Sequence, residues 1–149
     1  MIRLYKKEDK EKLLKLLRLN TPQYFASSEE PDFVTYLNEA SENYYVVEED
    51  DSIVGAGGIN YFYDDALARL SWDIIDPAFQ GKGIGTELLR HRIARIEREQ
   101  GIELIVVRTT QLVYKFYQKA GFELVKTEKD FWAEGFDLYQ MEMQVQKAY

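Results

Sequence analysis

The sequence contains no cysteine and a single histidine, His91, among its 149 residues. The lack of cysteine excludes disulfide bonds, thiolate nucleophiles and cysteine-based zinc sites, and it is compatible with a reducing compartment. One histidine excludes a metal site built mainly from imidazole groups. No stretch approaches the roughly 20 apolar residues of a membrane-spanning helix, and the charged start MIRLYKKEDKEK lacks the apolar core of a signal peptide. We therefore expect a cytoplasmic protein that binds no membrane and holds no metal.

Net positive charge is also lacking, since the formal charge at pH 7 is -7. Nucleic acids and anionic membranes attract basic surfaces, so this balance argues against both as the main partner. An acidic surface suits cationic substrates such as amines, but it also keeps a protein soluble without any role in recognition. The charge alone leaves these two interpretations open.

The hydrophobic pattern predicts strands and helices along the whole chain. Helical spacing of apolar residues predicts helices over 6–19, 29–40, 86–100 and 112–119, and β-rich runs predict strands at 2–5, 44–50, 52–63, 66–75, 104–109, 122–127 and 137–145. An antiparallel meander is the simplest arrangement of the three consecutive strands. Neither an internal repeat nor a low-complexity linker divides the chain, so we predict a single domain over residues 1–149.

The helix predicted over 86–100 combines one apolar face with several basic residues. The apolar face consists of Leu88, Leu89, Ile93 and Ile96, and the arginines are Arg90, Arg92, Arg95 and Arg98. Their spacing places these arginines largely away from the apolar face. We expect His91, on the same helix, at the surface.

Three glycines, Gly81, Gly83 and Gly85, alternate along the segment that joins a predicted strand to the helix predicted from Thr86. Backbone N–H groups at a helix start have no partner within the helix, and the helix dipole makes them favourable to anions. A phosphate can bind there, but a glycine-rich segment before a helix is also an ordinary turn. The spacing G-x-G-x-G departs from the dinucleotide-binding and P-loop patterns. A second cluster, VGAGG at 54–58, continues into the strand sequence INYFY, so we assign it to a strand with a bulge or a close approach.

Two short blocks of sequence carry a resemblance to a known family. In the first block, Gln80, Gly83 and Gly85 follow Asp76-Pro77 and fill the core positions of the pattern Q/R-x-x-G-x-G/A. The second block is YKFYQKAGF at 114–122, which is similar to the signature LYxKxGF. Both blocks, in this order, resemble the GNAT superfamily of N-acetyltransferases. The resemblance implies an α+β (mixed α/β) fold: a single domain with a central mixed, mostly antiparallel sheet of about six or seven strands, flanked by about four helices.

The resemblance implies acetyl-coenzyme A (acetyl-CoA) as the acyl donor and no metal. Main-chain amides of the turn would bind the pyrophosphate, and the end of the preceding strand would pair with the pantetheine arm as an additional strand does. The donor-binding residues implied in this way are Asp73, Ile74, Ile75, Gln80, Gly81, Lys82, Gly83, Ile84, Gly85, Thr86, Thr110 and Tyr117. Thr110 stands where many family members have an asparagine. The resemblance therefore leaves two alternatives, an unchanged or an altered affinity for the donor.

Acetyl transfer to an amine needs a neutral amine, stabilisation of the oxyanion and a proton for the departing thiolate. Tyr117 matches the family's tyrosine near the coenzyme sulfur, and a phenol with an ordinary pKa of about 10 stays protonated at neutral pH, as a general acid must. The alternative is a tyrosine of the core. Asp73 is our first candidate for the base, with a solvent-facing carboxylate as the alternative, and Glu103 and Asp137 are weaker candidates. The oxyanion donor is expected to be a main-chain amide near Ile75.

Aromatic residues are concentrated in the segments that form the acceptor site in this family. They are Tyr24, Phe25, Tyr36, Tyr61, Tyr63, Phe131, Trp132 and Phe136, the last three in a loop predicted between the final two strands. Such rings line an apolar pocket, attract an ammonium group, fill a core or form a subunit interface. GNAT proteins are often homodimers, so the aromatic C-terminal segment is also a candidate interface.

The resemblance and the residues together predict an enzyme. It moves the acetyl group of acetyl-CoA to a primary amine of a small molecule or a peptide, by direct transfer through a ternary complex. A non-catalytic module that binds acyl-CoA and regulates a partner is the alternative. A pure interaction domain, in which the glycine-rich segment is only a turn, is a third interpretation.

Overall fold

The computed structural model describes residues 1–146, so the last three residues of the domain predicted over 1–149 lie outside the described part. The helices are α1 (Lys10–Leu19), α2 (Glu30–Glu39), α3 (Ile84–Glu97) and α4 (Tyr114–Lys119). The strands are β1 (Ile2–Leu4), β2 (Tyr44–Glu49), β3 (Ser52–Phe62), β4 (Leu67–Ile75), β5 (Leu104–Thr109), β6 (Glu123–Ala133) and β7 (Phe136–Gln144).

The strands form one seven-stranded sheet in the order β1-β2-β3-β4-β5-β7-β6. β4 and β5 are parallel, with Leu67 opposite Leu104. The pairs β1–β2, β2–β3, β5–β7 and β6–β7 are antiparallel. A mixed, mostly antiparallel sheet accompanied by four helices within residues 1–146 confirms the predicted fold class.

The chain forms two compact units, each with its own buried apolar residues. The first comprises Met1–Ile59 and Trp72–Ile93, and the second comprises Asn60–Ser71 and the described residues from Ala94 on. In the first unit, the apolar faces of α1 and α2 and the strand residues packed with them form a core of Leu13, Leu14, Leu16, Leu17, Phe33, Leu37, Tyr44, Val46, Ala56 and Ile74. In the second unit, the buried residues include Leu70, Ile105, Val107, Tyr117, Phe122, Leu138 and Met141. No helix within residues 1–146 is long and apolar enough to cross a membrane.

Two element boundaries differ from the prediction in ways that affect the site. Helix α3 begins at Ile84, two residues before the predicted start at Thr86, because the carbonyl of Gly83 already accepts a hydrogen bond from Glu87 N at 3.0 Å. Strand β6 continues to Ala133, so the prediction of a long aromatic loop after residue 127 is wrong. The charged run TEKD suggests the end of a strand, yet pairing with β7 resumes at the Ala133–Phe136 pair.

A buried carboxylate connects the start of α1 to β1. Asp9 is only 5% exposed, and its Oδ2 and Oδ1 atoms accept hydrogen bonds from Arg3 Nη1 and Nη2 at 2.8 and 2.9 Å. Oδ2 also accepts a hydrogen bond from Lys6 N at 2.8 Å, and Arg3 pairs in addition with Glu48. The hydrogen bonds from Arg3 hold the pKa of Asp9 below its ordinary value of 3.8.

We expect Asp9→Asn to lower the free energy of unfolding at neutral pH by about 1–3 kcal/mol, because it removes a buried charged acceptor. The pKa of Asp9 is lower in the folded protein than in the unfolded chain. The stabilisation is therefore fully present above the pKa that Asp9 has in the unfolded chain. It is lost as the pH falls through the pKa that Asp9 has in the folded protein. Urea denaturation of both proteins should show a constant difference above about pH 5 that shrinks below about pH 4. Asp32→Asn, at an exposed position of α2, is the control. If the difference in the free energy of unfolding between the wild type and Asp9→Asn were as large at about pH 3 as at neutral pH, the result would contradict a stabilising ion pair between Arg3 and Asp9.

Candidate active site

The glycine-rich turn between β4 and α3 has an open surface at two glycines. Gly81 and Gly83 have φ values of +77° and +83°, in the left-handed region that glycine adopts without strain. A Cβ at either position would meet no atom of the described residues within 4 Å. The side chain of Gln80 is exposed, and its Oε1 accepts a hydrogen bond from Tyr24 Oη at 3.4 Å. The backbone of this turn is therefore open to a ligand.

The start of α3 supplies hydrogen-bond donors and a favourable dipole beside that turn. Main-chain N–H groups in the first turn of a helix lack partners within the helix, and here this turn contains Ile84, Gly85 and Thr86. The side chain of Ile84 is buried, and a Cβ at Gly55 would lie 3.2 Å from its Cγ2 atom. The Ile84 side chain therefore anchors the first turn against β3. This arrangement suits a phosphate group.

Strand β4, which leads into the turn, has an irregular backbone at Trp72. This residue has a φ of +51°, which is rare for a bulky side chain. Its carbonyl accepts a hydrogen bond from Tyr44 Oη at 2.7 Å, and its ring contacts those of Phe25, Phe33 and Tyr36. The contacts hold a conformation that a lone tryptophan would avoid. Such strained positions are concentrated at functional sites.

Asp73, the candidate base, forms an ion pair with Arg92 of α3. Arg92 Nη1 donates to Asp73 Oδ1 at 2.6 Å, and Nη2 donates to Oδ2 at 2.8 Å. Nη1 also donates to the carbonyl of Gly58 at 3.1 Å, and Nε donates to the carbonyl of Leu88 at 3.3 Å. The Arg92 side chain is 1% exposed and that of Asp73 is 20% exposed. A proton on Asp73 would weaken this bidentate pair, so the geometry favours a structural contribution, and the role of base stays a prediction.

The burial of Arg92 shows that our placement of this residue away from the buried face is wrong. The physical reason lies in the VGAGG segment of β3. A Cβ at Gly57 would lie 2.7 Å from Asp73 Oδ1 and 2.9 Å from Arg92 Nη1, so only a glycine leaves room for the pair. The close approach predicted for this segment is confirmed. The predicted bulge is also present, since the β2–β3 register shifts between Val47 and Glu48.

Thr110 and Tyr117 lie in the segment that forms and precedes α4. Thr110 Oγ1 accepts a hydrogen bond from Leu112 N at 3.2 Å, and the Thr110 carbonyl accepts from Val113 N and Tyr114 N. The threonine hydroxyl thereby helps to close the turn before the helix. Tyr117 is 3% exposed, and its ring packs edge-on against those of Phe116 and Phe122. The ring belongs to the buried part of the second unit, and the role of its hydroxyl as an acid stays a prediction.

The predicted site residues are distributed over both units. The first unit contains Asp73, Ile74 and Ile75 together with residues 80–86, and the second contains Thr110 and Tyr117. The weaker base candidates, Glu103 and Asp137, are also in the second unit; Glu103 is exposed and Asp137 accepts a hydrogen bond from Asp130 N. His91 is exposed as expected, and its ring contacts that of Tyr45.

Comparisons with known proteins identify the family and show similarity to relatives with different acceptors. The sequence profile of the acetyltransferase (GNAT) domain matches residues 40–124. An N-alpha-acetyltransferase from Sulfolobus acidocaldarius is 27% identical over 136 residues, which cover 82% of this chain and 76% of that protein. An amino-acid acetyltransferase from Mannheimia succiniciproducens is 27% identical over 86 residues. That match covers 58% of this chain but only 19% of the relative's length.

A solved structure of an acetyltransferase has a similar fold. The crystal structure of an aminoglycoside 6'-N-acetyltransferase complexed with coenzyme A is similar with a TM-score of 0.78 and 18% identity, covering 100% of this chain and 99% of that chain. The domain profile itself spans the open glycine-rich turn and α4. Because that profile covers more than half of the sequence, the chain belongs to the GNAT family of acetyltransferases.

Proposed function

We propose that this GNAT protein moves the acetyl group of acetyl-CoA to a primary amine of a small molecule or a peptide, by direct transfer in a ternary complex. The observation that carries the proposal is the turn before α3, where two glycines with positive φ leave the backbone open beside the helix start. Backbone N–H groups and the positive end of a helix dipole suit the pyrophosphate of a coenzyme A donor. A non-catalytic acyl-CoA-binding module is not favoured, since the relatives are named as acetyltransferases.

Separate groups of residues would bind the donor and transfer the proton. Main-chain amides of residues 81–86 would bind the pyrophosphate, with Gln80 beside them. The backbone of Asp73–Ile75 would pair with the pantetheine arm; the parallel pairing of β4 with β5 covers only the earlier part of the strand, Leu67–Leu70. Tyr117 would protonate the departing thiolate, and Thr110 would contact the donor.

The acceptor class is proposed at the level of a primary amine. The names of the similar proteins indicate three kinds of acceptor: an amino acid, an alpha-amine and an aminoglycoside. Primary amines occur in all three classes. We further propose that residues 1–149 form one GNAT-like domain, which the domain profile supports because it includes parts of both units. A cytoplasmic location and a homodimer belong to the same proposal, as does the lack of a nucleic-acid or membrane partner.

The first test is calorimetric titration of the protein with acetyl-CoA and with CoA. We expect saturable binding of both ligands, and at least roughly tenfold weaker binding by Gly83→Asp. An aspartate at this position brings a carboxylate to the helix start, where it takes up N–H groups itself and repels the pyrophosphate. Circular dichroism would establish that the variant is folded.

A matched control separates this effect from backbone strain. Gly135, in the β6–β7 turn, has a φ of +84° and equally open surroundings, so Gly135→Asp introduces the same residue into the same backbone conformation. We expect this control to bind acetyl-CoA like the wild type. Binding by the wild type would justify a screen of amines by thiol release. A folded wild type that binds neither ligand would overturn the proposed function.

A further inference from the structure

Two arginines of the second unit lie close together on one face of the sheet. Arg69 of β4 is opposite Val106 of β5, so Arg108, two residues further along β5, shares that face. Burial lowers the pKa of Arg69, and the positive charge of Arg108 lowers it further. Within residues 1–146, the ion pairs of the protein involve other arginines, and none joins a carboxylate to Arg69 or Arg108. Two like charges therefore lie side by side with no ion-pair partner among residues 1–146, in a chain whose net charge is -7.

Aromatic rings flank both guanidinium groups. Arg69 Cζ lies 4.8 Å from the ring centroid of Phe62, and Arg108 Cζ lies 5.0 and 5.5 Å from those of Phe131 and Trp132. The rings attract the cations through their faces and remove water from around them. Phe62 and Phe131 are 38% and 39% exposed, so the group reaches the protein surface.

Arg69 also has a donor that no atom of residues 1–146 satisfies. Its Nε atom is buried and has no hydrogen-bond partner among these residues. Buried donors without an acceptor are rare, and each one needs an explanation. The neighbouring Ser71 Oγ donates to Asn60 Oδ1 at 2.7 Å and to the Arg69 carbonyl at 3.5 Å, and no side chain of residues 1–146 accepts a hydrogen bond from Arg69 Nε. The cluster therefore has donors and positive charge, and the described part of the chain gives it no anionic acceptor.

We propose that Arg69 and Arg108 form a binding site for the carboxylate group of a small molecule or a peptide, which we call the Arg69–Arg108 site. A guanidinium group presents parallel N–H donors that match the two oxygens of a carboxylate. A bound carboxylate offsets the repulsion between the two arginines. The rings of Phe62, Phe131 and Trp132 offer apolar surfaces to the carbon skeleton of the ligand. The inference does not require the proposed acetyl transfer, although Phe131 and Trp132 also belong to the segments that the family resemblance assigns to the acceptor site.

The test is a titration of isotope-labelled protein with sodium succinate, followed by NMR at the arginine Nε–Hε signals. We expect saturable shifts of two signals, which Arg69→Gln and Arg108→Gln would assign. Succinamide, the neutral analogue of the same shape, should produce no such shift. Each variant should weaken succinate binding roughly tenfold or more, as loss of a charge-assisted hydrogen-bonding group does. Arg98→Gln, at an exposed position, is the matched control and should bind succinate like the wild type.

Thermal unfolding provides a second readout that does not depend on signal assignment. At one succinate concentration, the unfolding temperature of the wild type and of Arg98→Gln should rise clearly more than that of Arg108→Gln. If Arg69→Gln does not fold, succinate binding by Arg108→Gln alone tests the site. Absence of a saturable shift, or a shift unchanged in Arg108→Gln, would overturn the site. Inorganic phosphate that binds more tightly than succinate would overturn the assignment to a carboxylate.

A free carboxylic acid and a peptide C-terminus offer the same group, and a further arm distinguishes them. A short peptide with a free C-terminus is compared with the same peptide carrying a C-terminal amide. Tighter binding than succinate that is lost on amidation would assign the carboxylate to a peptide. Weaker binding by the peptide than by succinate would assign it to a small molecule.

Discussion

Replacing Tyr117 by phenylalanine is expected to lower kcat roughly 100- to 10,000-fold, the range over which general acid catalysis contributes. The prediction rests on the proposed function, in which the phenol protonates the departing thiolate. The ring packs against Phe116 and Phe122, and phenylalanine keeps that ring, so the fold and the binding of acetyl-CoA should be retained. Steady-state kinetics and calorimetric titration of the same preparations would separate turnover from binding.

A second tyrosine on α4 offers a matched control for this experiment. Tyr114 lies three positions earlier and contacts the ring of Tyr139, so Tyr114→Phe removes a hydroxyl from the same helix and should leave kcat unchanged. The pH profile adds a readout specific to an acid. The kcat of the wild type should fall at high pH as the phenol loses its proton, and the profile of Tyr117→Phe should lack this fall. A folded Tyr117→Phe protein with full turnover at every pH would remove Tyr117 from the mechanism.

Arg92→Met is expected to lower the free energy of unfolding by about 3–5 kcal/mol, the usual effect of removing one partner of a buried ion pair. The variant leaves the Asp73 carboxylate and the Gly58 carbonyl without the donors that now bind them at 2.6 to 3.1 Å. Urea denaturation measures the change. Arg95→Met is the control, because the Arg95–Glu99 pair is 37% and 23% exposed and should be worth only about 0–1 kcal/mol.

The double variant Arg92→Met/Asp73→Leu decides between two roles of Asp73. Replacing both charges by apolar groups should restore most of the stability that Arg92→Met loses, because no unpaired charge stays buried. If Asp73 only supports the structure, turnover should return together with stability. If Asp73 is the base, the stable double variant should still have a low kcat. A double variant no more stable than Arg92→Met would contradict the assignment of a buried, mutually compensating pair.

The parts of the molecule that the sequence predicts well are those that depend on local patterns. Leucines at positions 13, 14, 16 and 17 repeat with the helical period, and all four are buried in α1. The alternating glycines indicate a turn because glycine adopts a positive φ without strain, and positions 81 and 83 have such a φ. Local signals of this kind fix the elements and the open turn before α3.

The features that the sequence does not predict depend on contacts between distant residues. Arg92 has the spacing of a polar surface residue, and its burial follows from an acceptor on β4 and two glycines on β3. Trp72 adopts a positive φ because Tyr44 and neighbouring rings hold it there, which no local propensity indicates. In the sequence, the glycine pair at 57 and 58 indicates that other atoms pack closely against this part of β3. It does not indicate that these atoms belong to Asp73, Arg92 and Tyr36.

The lack of a side chain at Gly57 has a consequence for how this sequence can change. The charged residues at 73 and 92 fill the space that a Cβ at 57 would need, so these three positions form one coupled set. A larger residue at 57 becomes compatible only after the charge pair has been replaced by smaller groups, and the order of substitutions therefore matters. Asp73 lies on the strand before the proposed donor turn and Arg92 on the helix after it. Substitutions at positions 57, 73 and 92 would thus change the packing of the strand and the helix beside the proposed donor site, although every residue of the turn itself stays the same.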